Sequence, residues 1–218
     1  MFYVILIALL FMASQLCDTF NWSGVFAQVQ RSAIRVKNQQ GNTCTAFSIN
    51  QQMKYYLTAF HCLTDNMRHW KEMTPEISTQ AGTTVGKLTL LKFSKELDIA
   101  VLQGELSLPA LRYGSAPRLG AEVAVIGYAG GLLEPSILLS NVLHVMDAHP
   151  SGNSHMLIIR DDQDYPGMSG SPVVNFRGQV VSMCHRGAPS ERGDPSDDIS
   201  SGTAIRDILG FVDHYWEK

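Results

Sequence analysis

A serine between glycines is the first candidate for chemistry. Residues 165–172 read Tyr-Pro-Gly-Met-Ser-Gly-Ser-Pro and lead into the apolar pair at 173–174. Gly167 can adopt backbone dihedrals closed to other residues, so consecutive N–H groups could point at one spot, as an oxyanion hole requires. The simpler alternative is a tight turn between two strands, since Gly, Ser and Pro are the usual turn residues. As a nucleophile, Ser169 would need a base, and the base would need a group to orient it.

Two further stretches offer the base and the orienting group. Residues 58–62 read Thr-Ala-Phe-His-Cys and put His61 at the end of a predicted strand. Asp98 directly precedes four apolar residues, and a half-buried carboxylate is costly unless it is hydrogen-bonded, for example to an imidazole N–H. Taken alone, His61 is one of seven histidines and Asp98 suits a turn before a strand. Taken in the order His61, Asp98, Ser169, the three residues predict a nucleophile, its base and the base's orienting group.

Short strands must position these residues. From Gln28 onwards, apolar residues alternate with polar ones in short segments separated by turn residues, which predicts an all-β barrel or sandwich. A turn-rich stretch near residues 105–120 predicts a link between two halves, and residues 206–216 carry apolar side chains at helical spacing. A short helical piece is also possible near residues 64–70. The predicted strands are 29–36, 43–49, 55–59, 83–93, 99–102, 122–126, 137–146, 156–160, 172–176, 179–183 and 203–205.

Composition excludes some classes of partner. The 218 residues include 17 Lys and Arg against 20 Asp and Glu, a net charge of −3, whereas a nucleic-acid-binding surface is normally strongly basic. We therefore expect no nucleic acid partner. The acidic loop with Asp194, Asp197 and Asp198 lacks EF-hand spacing, so we interpret it as a solvated loop and expect no metal or cofactor. Nothing in the sequence indicates an oligomeric state.

The N-terminal residues 1–27 differ from the rest. Residues 2–12 form an apolar run of a length typical of a signal-peptide core and too short to cross a bilayer comfortably. Cleavage would follow residues 14–17, or come as late as Ala27. This predicts an exported protein, secreted or periplasmic, with no stable membrane association after cleavage and a folded domain over residues 28–218. The alternative is a retained membrane tether, or a lipid anchor on Cys17.

The remaining cysteines fit an oxidising compartment. Cys44 and Cys62 are natural disulfide partners in an exported protein. A bridge between them would close a loop of about 18 residues and stabilise the fold by roughly 3 kcal/mol. If Cys17 leaves with a signal peptide, Cys184 has no obvious partner and is expected to be a buried thiol.

Taken together, these stretches resemble the trypsin-like (chymotrypsin-fold) serine peptidases from about Gln28 to the C-terminus. Residues 58–62 resemble that family's T-A-A-H-C block, residues 98–102 its D-I-A-L-L block, and residues 167–172 its G-x-S-G-G/S-P block. The resemblance implies two six-stranded antiparallel β-barrels with a C-terminal α-helix, and it supports the Cys44–Cys62 bridge. The short intervals from His61 to Asp98 and from Asp98 to Ser169 are similar to those of the compact bacterial glutamyl endopeptidases and Deg-type proteases.

The function implied by the resemblance is that of a serine endopeptidase acting on proteins or peptides. Ser169 would attack the peptide carbonyl, His61 would take its proton, and Asp98 would orient His61. The N–H groups of Gly167 and Ser169 would form the oxyanion hole. The alternative is a catalytically inactive member of the fold that serves as a binding protein of the cell envelope.

Substrate specificity stays open at the level of sequence. Counting from Ser169, the pocket for the residue before the scissile bond should involve Gln163, Asp164 and Tyr165 at its base and Cys184, His185, Arg186 and Gly187 in its wall. Asp164 would favour Lys or Arg there, whereas His185 and Arg186 would favour Glu or Asp. Cys184 occupies the position of a histidine in glutamyl endopeptidases, and strand alternation turns the neighbouring His185 the other way.

Overall fold

A computed structural model describes residues 22–37, 41–63, 76–78, 84–147, 155–160, 166–188 and 199–217. Residues 2–12, Cys17, the helical piece near 64–70 and the acidic loop at 194–198 lie outside this part of the chain. Helix α1 covers residues 22–29 and helix α2 covers Ile205–Val212. The strands are β1 Ala33–Lys37, β2 Thr43–Asn50, β3 Tyr55–Ala59, β4 Glu76–Ser78, β5 Thr84–Lys87, β6 Thr89–Ser94, β7 Ile99–Gln103, β8 Glu122–Gly127, β9 Ser136–Asp147, β10 His155–Arg160, β11 Pro172–Val174, β12 Val180–Ala188 and β13 Ile199–Ala204.

The first seven strands form one antiparallel ring. Their order is β5-β4-β1-β2-β3-β7-β6, and β5 and β6 are separated only by the buried Leu88. β5 pairs with β4 while β6 pairs with β7, so one strand that bends at Leu88 joins both ends of the sheet. When β5 and β6 are counted as one bent strand, the first half is the expected six-stranded barrel.

The second half is a closed barrel of six strands in the order β10-β13-β12-β11-β8-β9, and all its pairings are antiparallel. The link between the halves runs from β7 to β8 over residues 104–121, where a single bridge pairs Tyr113 with Val180. The predicted all-β class with a C-terminal helix is confirmed.

The largest apolar cluster lies between the two barrels. It combines buried residues of the first barrel, such as Phe47 and Leu57, with residues of the second, such as Ile126 and Met183. Each barrel also has a smaller core of its own. A shared apolar core therefore holds the two halves together. It also fixes the relative positions of the side chains that the two halves contribute to a common site.

Both helices pack on this shared core. Val25 and Val29 stand four residues apart on one face of α1 and are both buried in it, as are Ile208 and Val212 of α2. The prediction of a strand from residue 29 was wrong, because Val29 belongs to α1 and β1 begins at Ala33. No helix in the described part of the chain is long and apolar enough to cross a membrane.

The C-terminal helix is shorter than the segment 206–216 whose apolar residues stand at helical spacing. It ends at Val212, four residues before the buried Trp216. Trp216 Nε1–H donates a hydrogen bond of 2.7 Å to the carbonyl of Leu111, in the link between the barrels. The end of the chain is therefore anchored to that link by a side chain beyond the helix.

Candidate active site

His61 and Asp98 are brought together by the pairing of two neighbouring strands. β3 and β7 are antiparallel, with Ala59 opposite Ile99, so the residues just beyond these ends meet at one edge of the first barrel. His61 lies in a 3-10 turn over Phe60–Leu63 that follows β3 directly. The N–H of Phe60 donates to the backbone carbonyl of Asp98 at 3.0 Å and closes this edge.

The Asp98 carboxylate holds His61 with both of its oxygens. His61 Nδ1 lies 2.6 Å from Asp98 Oδ2, and the backbone N–H of His61 donates to Oδ1 at 2.8 Å. With Nδ1–H given to the carboxylate, Nε2 of the neutral ring is left as the proton acceptor. The His61 side chain is 40% exposed, so it is accessible from solvent while Asp98 lies behind it.

The pKa of Asp98 reflects two opposed effects. Burial raises it, but the hydrogen bonds and positive charge of His61 outweigh burial and hold the pKa of this carboxyl below its ordinary value of 3.8. Asp98 is therefore ionised at neutral pH and can stabilise a protonated imidazole.

Asp98 adopts an unusual backbone conformation. Its φ is +50°, in the left-handed region that residues with a side chain rarely adopt. Such residues persist where the surrounding structure fixes them, and they are concentrated at functional sites.

The Ser169 turn belongs to the second barrel but is bonded to the first. Gly167 and Gly170 have φ values of +98° and +81° and give the turn its shape. The carbonyl of Ser169 accepts the N–H of Thr45 at 2.9 Å, and the N–H of Gly170 donates to the carbonyl of Cys184 at 2.8 Å. The turn is thus held on one side by β2 and on the other by β12.

Gly170 lets this turn approach the strand that leads to His61. A Cβ on residue 170 would lie 2.2 Å from the carbonyl oxygen of Thr45, 2.4 Å from Thr58 Oγ1 and 3.0 Å from the nitrogen of Ala59. Residues 58–59 directly precede the 3-10 turn that contains His61. The close approach of this turn to residues 58–59 is therefore possible only without a side chain at position 170.

The backbone N–H groups of Gly167 and Ser169 are available for an incoming oxygen. Within the described residues, neither of them donates a hydrogen bond. The carbonyl of Gly167 is fixed by the Thr45 hydroxyl at 2.8 Å, which sets the orientation of the turn. Two donors in one rigid turn are what an oxyanion hole needs.

The Cys44–Cys62 disulfide is present, as predicted. It joins the start of β2 to the residue after His61, across a Cα–Cα distance of 5.9 Å. The Sγ atoms of these two cysteines and a ring nitrogen of His61 lie within 4.8 Å of one another. With both sulfurs in a disulfide they are not thiolates, and this group cannot bind a metal in the oxidised protein.

The residues predicted for the specificity pocket separate into three groups. Gln163, Asp164 and Tyr165 lie outside the described residues, as does the side chain of Arg186. Cys184 is buried beside the Ser169 turn, where its N–H donates to the carbonyl of Ser171 at 2.9 Å. Gly187 pairs with Ser200 after an irregularity in β12.

His185 faces the first barrel. Its Nε2 lies 2.5 Å from Thr203 Oγ1, and the ring is close enough to Asp98 and His61 for electrostatic interaction. Burial lowers the pKa of His185 to about 4, with His61 acting in the same direction and Asp98 against it. The ring is therefore neutral at pH 7.

Sequence reasoning missed Thr45 and Thr203, which both lie within this site. Both are buried hydroxyls on strands, and Thr is common in strands for reasons of backbone preference alone. No local signal distinguishes them from ordinary strand residues.

Comparisons with known proteins identify the family of the domain. The trypsin-like peptidase domain matches residues 44–183, more than half of the chain. No curated protein matches the chain in sequence.

Several solved structures share the fold. The active form of the Rv3671c protease from M. tuberculosis is 19% identical, with 89% of this chain and 85% of that chain covered at a TM-score of 0.72. Deg5 is 15% identical, with 91% and 97% covered at 0.71. The serine endoprotease from Yersinia pestis is 17% identical, with 88% and 65% covered at 0.68. At these identities the likeness is one of fold.

Proposed function

Since the chain belongs to the trypsin-like peptidase family, a family of serine endopeptidases, we propose that Ser169, His61 and Asp98 are its catalytic triad. The substrate is a protein or peptide, and the reaction is hydrolysis of a peptide bond through an acyl-enzyme intermediate. The observation that carries the proposal is the Asp98 carboxylate, which binds both Nδ1 and the backbone N–H of His61.

In the first step, Ser169 Oγ attacks the carbonyl carbon of the substrate while His61 Nε2 takes the hydroxyl proton. Asp98 keeps the His61 tautomer in which Nε2 is the acceptor and stabilises the imidazolium that forms. His61 then gives the proton to the leaving amine. Water, activated by the same His61, hydrolyses the ester between the acyl group and Ser169.

The negative charge of the tetrahedral intermediate is stabilised by the N–H groups of Gly167 and Ser169. Such donors contribute most because they are fixed before the charge develops, and loss of one costs on the order of 3 kcal/mol of transition-state stabilisation. The hydrogen bond from Thr45 to the Gly167 carbonyl supports this role, since it limits rotation of the turn.

A fluorophosphonate probe tests the triad directly. We expect the folded wild-type chain to be labelled on the peptide that contains Ser169, and neither Ser169→Ala nor His61→Ala to be labelled at a comparable rate. Ser169→Ala should unfold at the same denaturant concentration as wild type within error, and His61→Ala should still fold although Asp98 loses its side-chain partner. Absence of labelling in a folded wild-type chain would overturn the proposal and favour the inactive binding protein of the cell envelope.

For specificity, we propose that the pocket comprises Gln163, Asp164 and Tyr165 together with Cys184, Arg186 and Gly187. His185 is left out, because its ring is bonded to Thr203. Profiling of cleavage sites in a peptide library reports both the activity and the preferred residue. Selective cleavage after Lys or Arg that is lost in Asp164→Asn would assign the acidic base of the pocket.

We further propose that the chain is exported and acts as a secreted or periplasmic enzyme. The Cys44–Cys62 disulfide supports this, because such bonds persist in oxidising compartments. Fractionation with and without detergent would distinguish a released enzyme from one tethered through residues 2–12 or Cys17.

A further inference from the structure

Two residues beside the proposed triad have no part in the mechanism so far. Thr203 Oγ1 donates a hydrogen bond of 2.7 Å to the backbone carbonyl of Leu97 and lies 2.5 Å from His185 Nε2. A hydroxyl has one hydrogen, and Thr203 gives it to Leu97. The His185 ring must therefore carry its proton on Nε2 and donate it to Thr203. The result is a chain of hydrogen bonds from His185 through Thr203 to Leu97.

This series of hydrogen bonds ends at the peptide group between Leu97 and Asp98. The orientation of that peptide group sets the backbone conformation of Asp98. The carbonyl of Leu97 and the nitrogen of Asp98 belong to the same peptide plane. Fixing that carbonyl therefore restricts φ of Asp98, which is +50°. A conformation of this kind is strained and must be maintained by its surroundings. The Thr203 hydroxyl is one of the groups that maintain it.

The other end of this series of hydrogen bonds is His185, which is linked through Cys184 to the Ser169 turn. His185 follows Cys184, whose carbonyl accepts the N–H of Gly170 at 2.8 Å and whose N–H donates to Ser171 at 2.9 Å. Thr203 itself pairs with Met183 in the β12–β13 ladder, so both hydroxyl and imidazole stand on a rigid part of the second barrel. Leu97 and Asp98 belong to the first barrel.

We propose that His185 and Thr203 are positioning residues that hold the Asp98–His61 pair of the first barrel in register with the Ser169 turn of the second. The inference rests on the proposed triad. In a triad divided between two barrels, a small rotation of one barrel against the other separates the reacting atoms. The His185–Thr203–Leu97 connection resists this displacement at the residue that precedes Asp98. His185 is thereby assigned to positioning, and recognition of an acidic substrate residue must come from other groups.

Two pairs of variants test the role of each hydrogen bond. Thr203→Val removes the hydroxyl at nearly constant shape, and Thr203→Ser keeps it. His185→Phe removes the donor while keeping a planar ring, and His185→Gln keeps an N–H donor near the place of Nε2. We expect Thr203→Val and His185→Phe to lower kcat by about 10- to 100-fold, the scale of a displacement near 1 Å, with KM changed less than about twofold. Thr203→Ser and His185→Gln should recover most of kcat.

A second readout separates positioning from mere stability. The proton between His61 Nδ1 and Asp98 should give a ¹H NMR resonance far downfield in wild type. We expect this resonance to shift or broaden in Thr203→Val and to return in Thr203→Ser. If Thr203 has only a structural role, Thr203→Val should lower the melting temperature but leave kcat of the folded fraction and this resonance unchanged. That result would overturn the inference. Should Thr203→Val not fold, the His185→Phe and His185→Gln pair decides by the same criteria.

Failure of the proposed function is recognised separately. If the wild-type chain is not labelled at Ser169, the triad proposal fails whatever these variants do. The NMR comparison needs no activity, so it still decides whether Thr203 positions the Asp98–His61 pair.

Discussion

The hydroxyl of Thr45 connects the two barrels by donating a hydrogen bond of 2.8 Å to the carbonyl of Gly167. The same oxygen accepts the N–H of Tyr128 at 3.0 Å, and Thr45 is completely buried. Thr45 follows Cys44 of the disulfide, while Gly167 offers one N–H of the proposed oxyanion hole. A single side chain therefore joins the first barrel to the part of the second where charge is to be stabilised.

Thr45→Val should impair both stability and catalysis. Valine fills the same space but leaves the Gly167 carbonyl and the Tyr128 N–H without a partner, and each buried unpaired group costs about 1 to 3 kcal/mol. We expect the free energy of unfolding in urea to fall by about 2 to 4 kcal/mol and fluorophosphonate labelling to slow by at least about tenfold. Thr45→Ser, which keeps the hydroxyl, is the control. Equal labelling rates in Thr45→Val and Thr45→Ser would show that Gly167 does not depend on this bond.

Gly170→Ala should abolish labelling of Ser169. The added Cβ would lie 2.2 Å from the carbonyl oxygen of Thr45, so the nucleophile turn must move away from the strand that leads to His61. Gly120→Ala is a matched control, since Gly120 also has a positive φ of +76° but has nothing within 4 Å of the added Cβ.

Both variants have the strain of a non-glycine residue at positive φ, and only Gly170→Ala adds the clash. We expect Gly120→Ala to lose about 1 kcal/mol of stability and to keep normal labelling. Comparable labelling of the two variants would mean that the approach of the turn to residues 58–59 is not required.

Reduction of the Cys44–Cys62 disulfide should destabilise the fold. The bridge joins cysteines 18 positions apart, and loss of a cross-link of that size costs about 3 kcal/mol in the chain-entropy estimate. The melting temperature should fall by roughly 10 °C for a domain of this length, as measured by circular dichroism with and without dithiothreitol. The Cys44→Ser/Cys62→Ser double variant should already melt at the lower temperature and not respond to the reductant. A response in that variant would place the redox effect at another cysteine.

His185 should make the fold sensitive to mild acid. Its pKa is about 4 in the folded protein against 6.5 when unperturbed, so between these values the unfolded chain binds a proton that the folded chain does not. The difference in proton binding at His185 therefore does not reduce the free energy of unfolding above pH 6.5. It reduces that free energy progressively as the pH falls from 6.5 to about 4. The loss amounts to at most about 3 kcal/mol.

Urea unfolding at pH 7 and pH 4.5 measures this loss in wild type and in His185→Gln, which does not titrate. We expect the loss of stability between the two pH values to be smaller in His185→Gln. An equal loss in the two proteins would mean that other groups account for the acid sensitivity.

The position of helix α1 predicts where a signal peptide can be cut. Val25 is 5% exposed within the shared core, and Trp22 and Phe26 pack against the same cluster. A chain that starts at Gln28 loses all three contacts, and burial of one such apolar side chain contributes about 1.5 to 3 kcal/mol. We expect a chain that starts at Asp18 to be more stable than one that starts at Gln28 by at least about 3 kcal/mol in urea unfolding.

Val25→Ala in the longer chain should reproduce part of that difference. Equal stability of the two chain lengths would favour cleavage after Ala27. Sequencing of the N-terminus of the exported protein gives the answer independently.

The strands and their class could be predicted from the sequence because alternation of apolar and polar residues is a local property. The predicted segment at 83–93 corresponds to β5 and β6, and the one at 99–102 to β7. The same reasoning failed at Val29, since a pair of valines four residues apart fits a helix face as well as a strand. Only the shared core between the barrels decides between these alternatives, because it offers Val25 and Val29 a common surface on which to pack.

For the site, the sequence by itself determined which residues could act: a serine between glycines, a histidine at a strand end and an aspartate before an apolar strand. The tertiary structure decided what surrounds them. The Thr45 bond to Gly167, the contact of Gly170 with residues 58–59 and the Thr203 bond to Leu97 all join residues of different barrels. Such partners are far apart in the chain, and a buried threonine or histidine has the same local pattern whether it meets them or not. Their roles arise only when the two halves of the chain pack on one core.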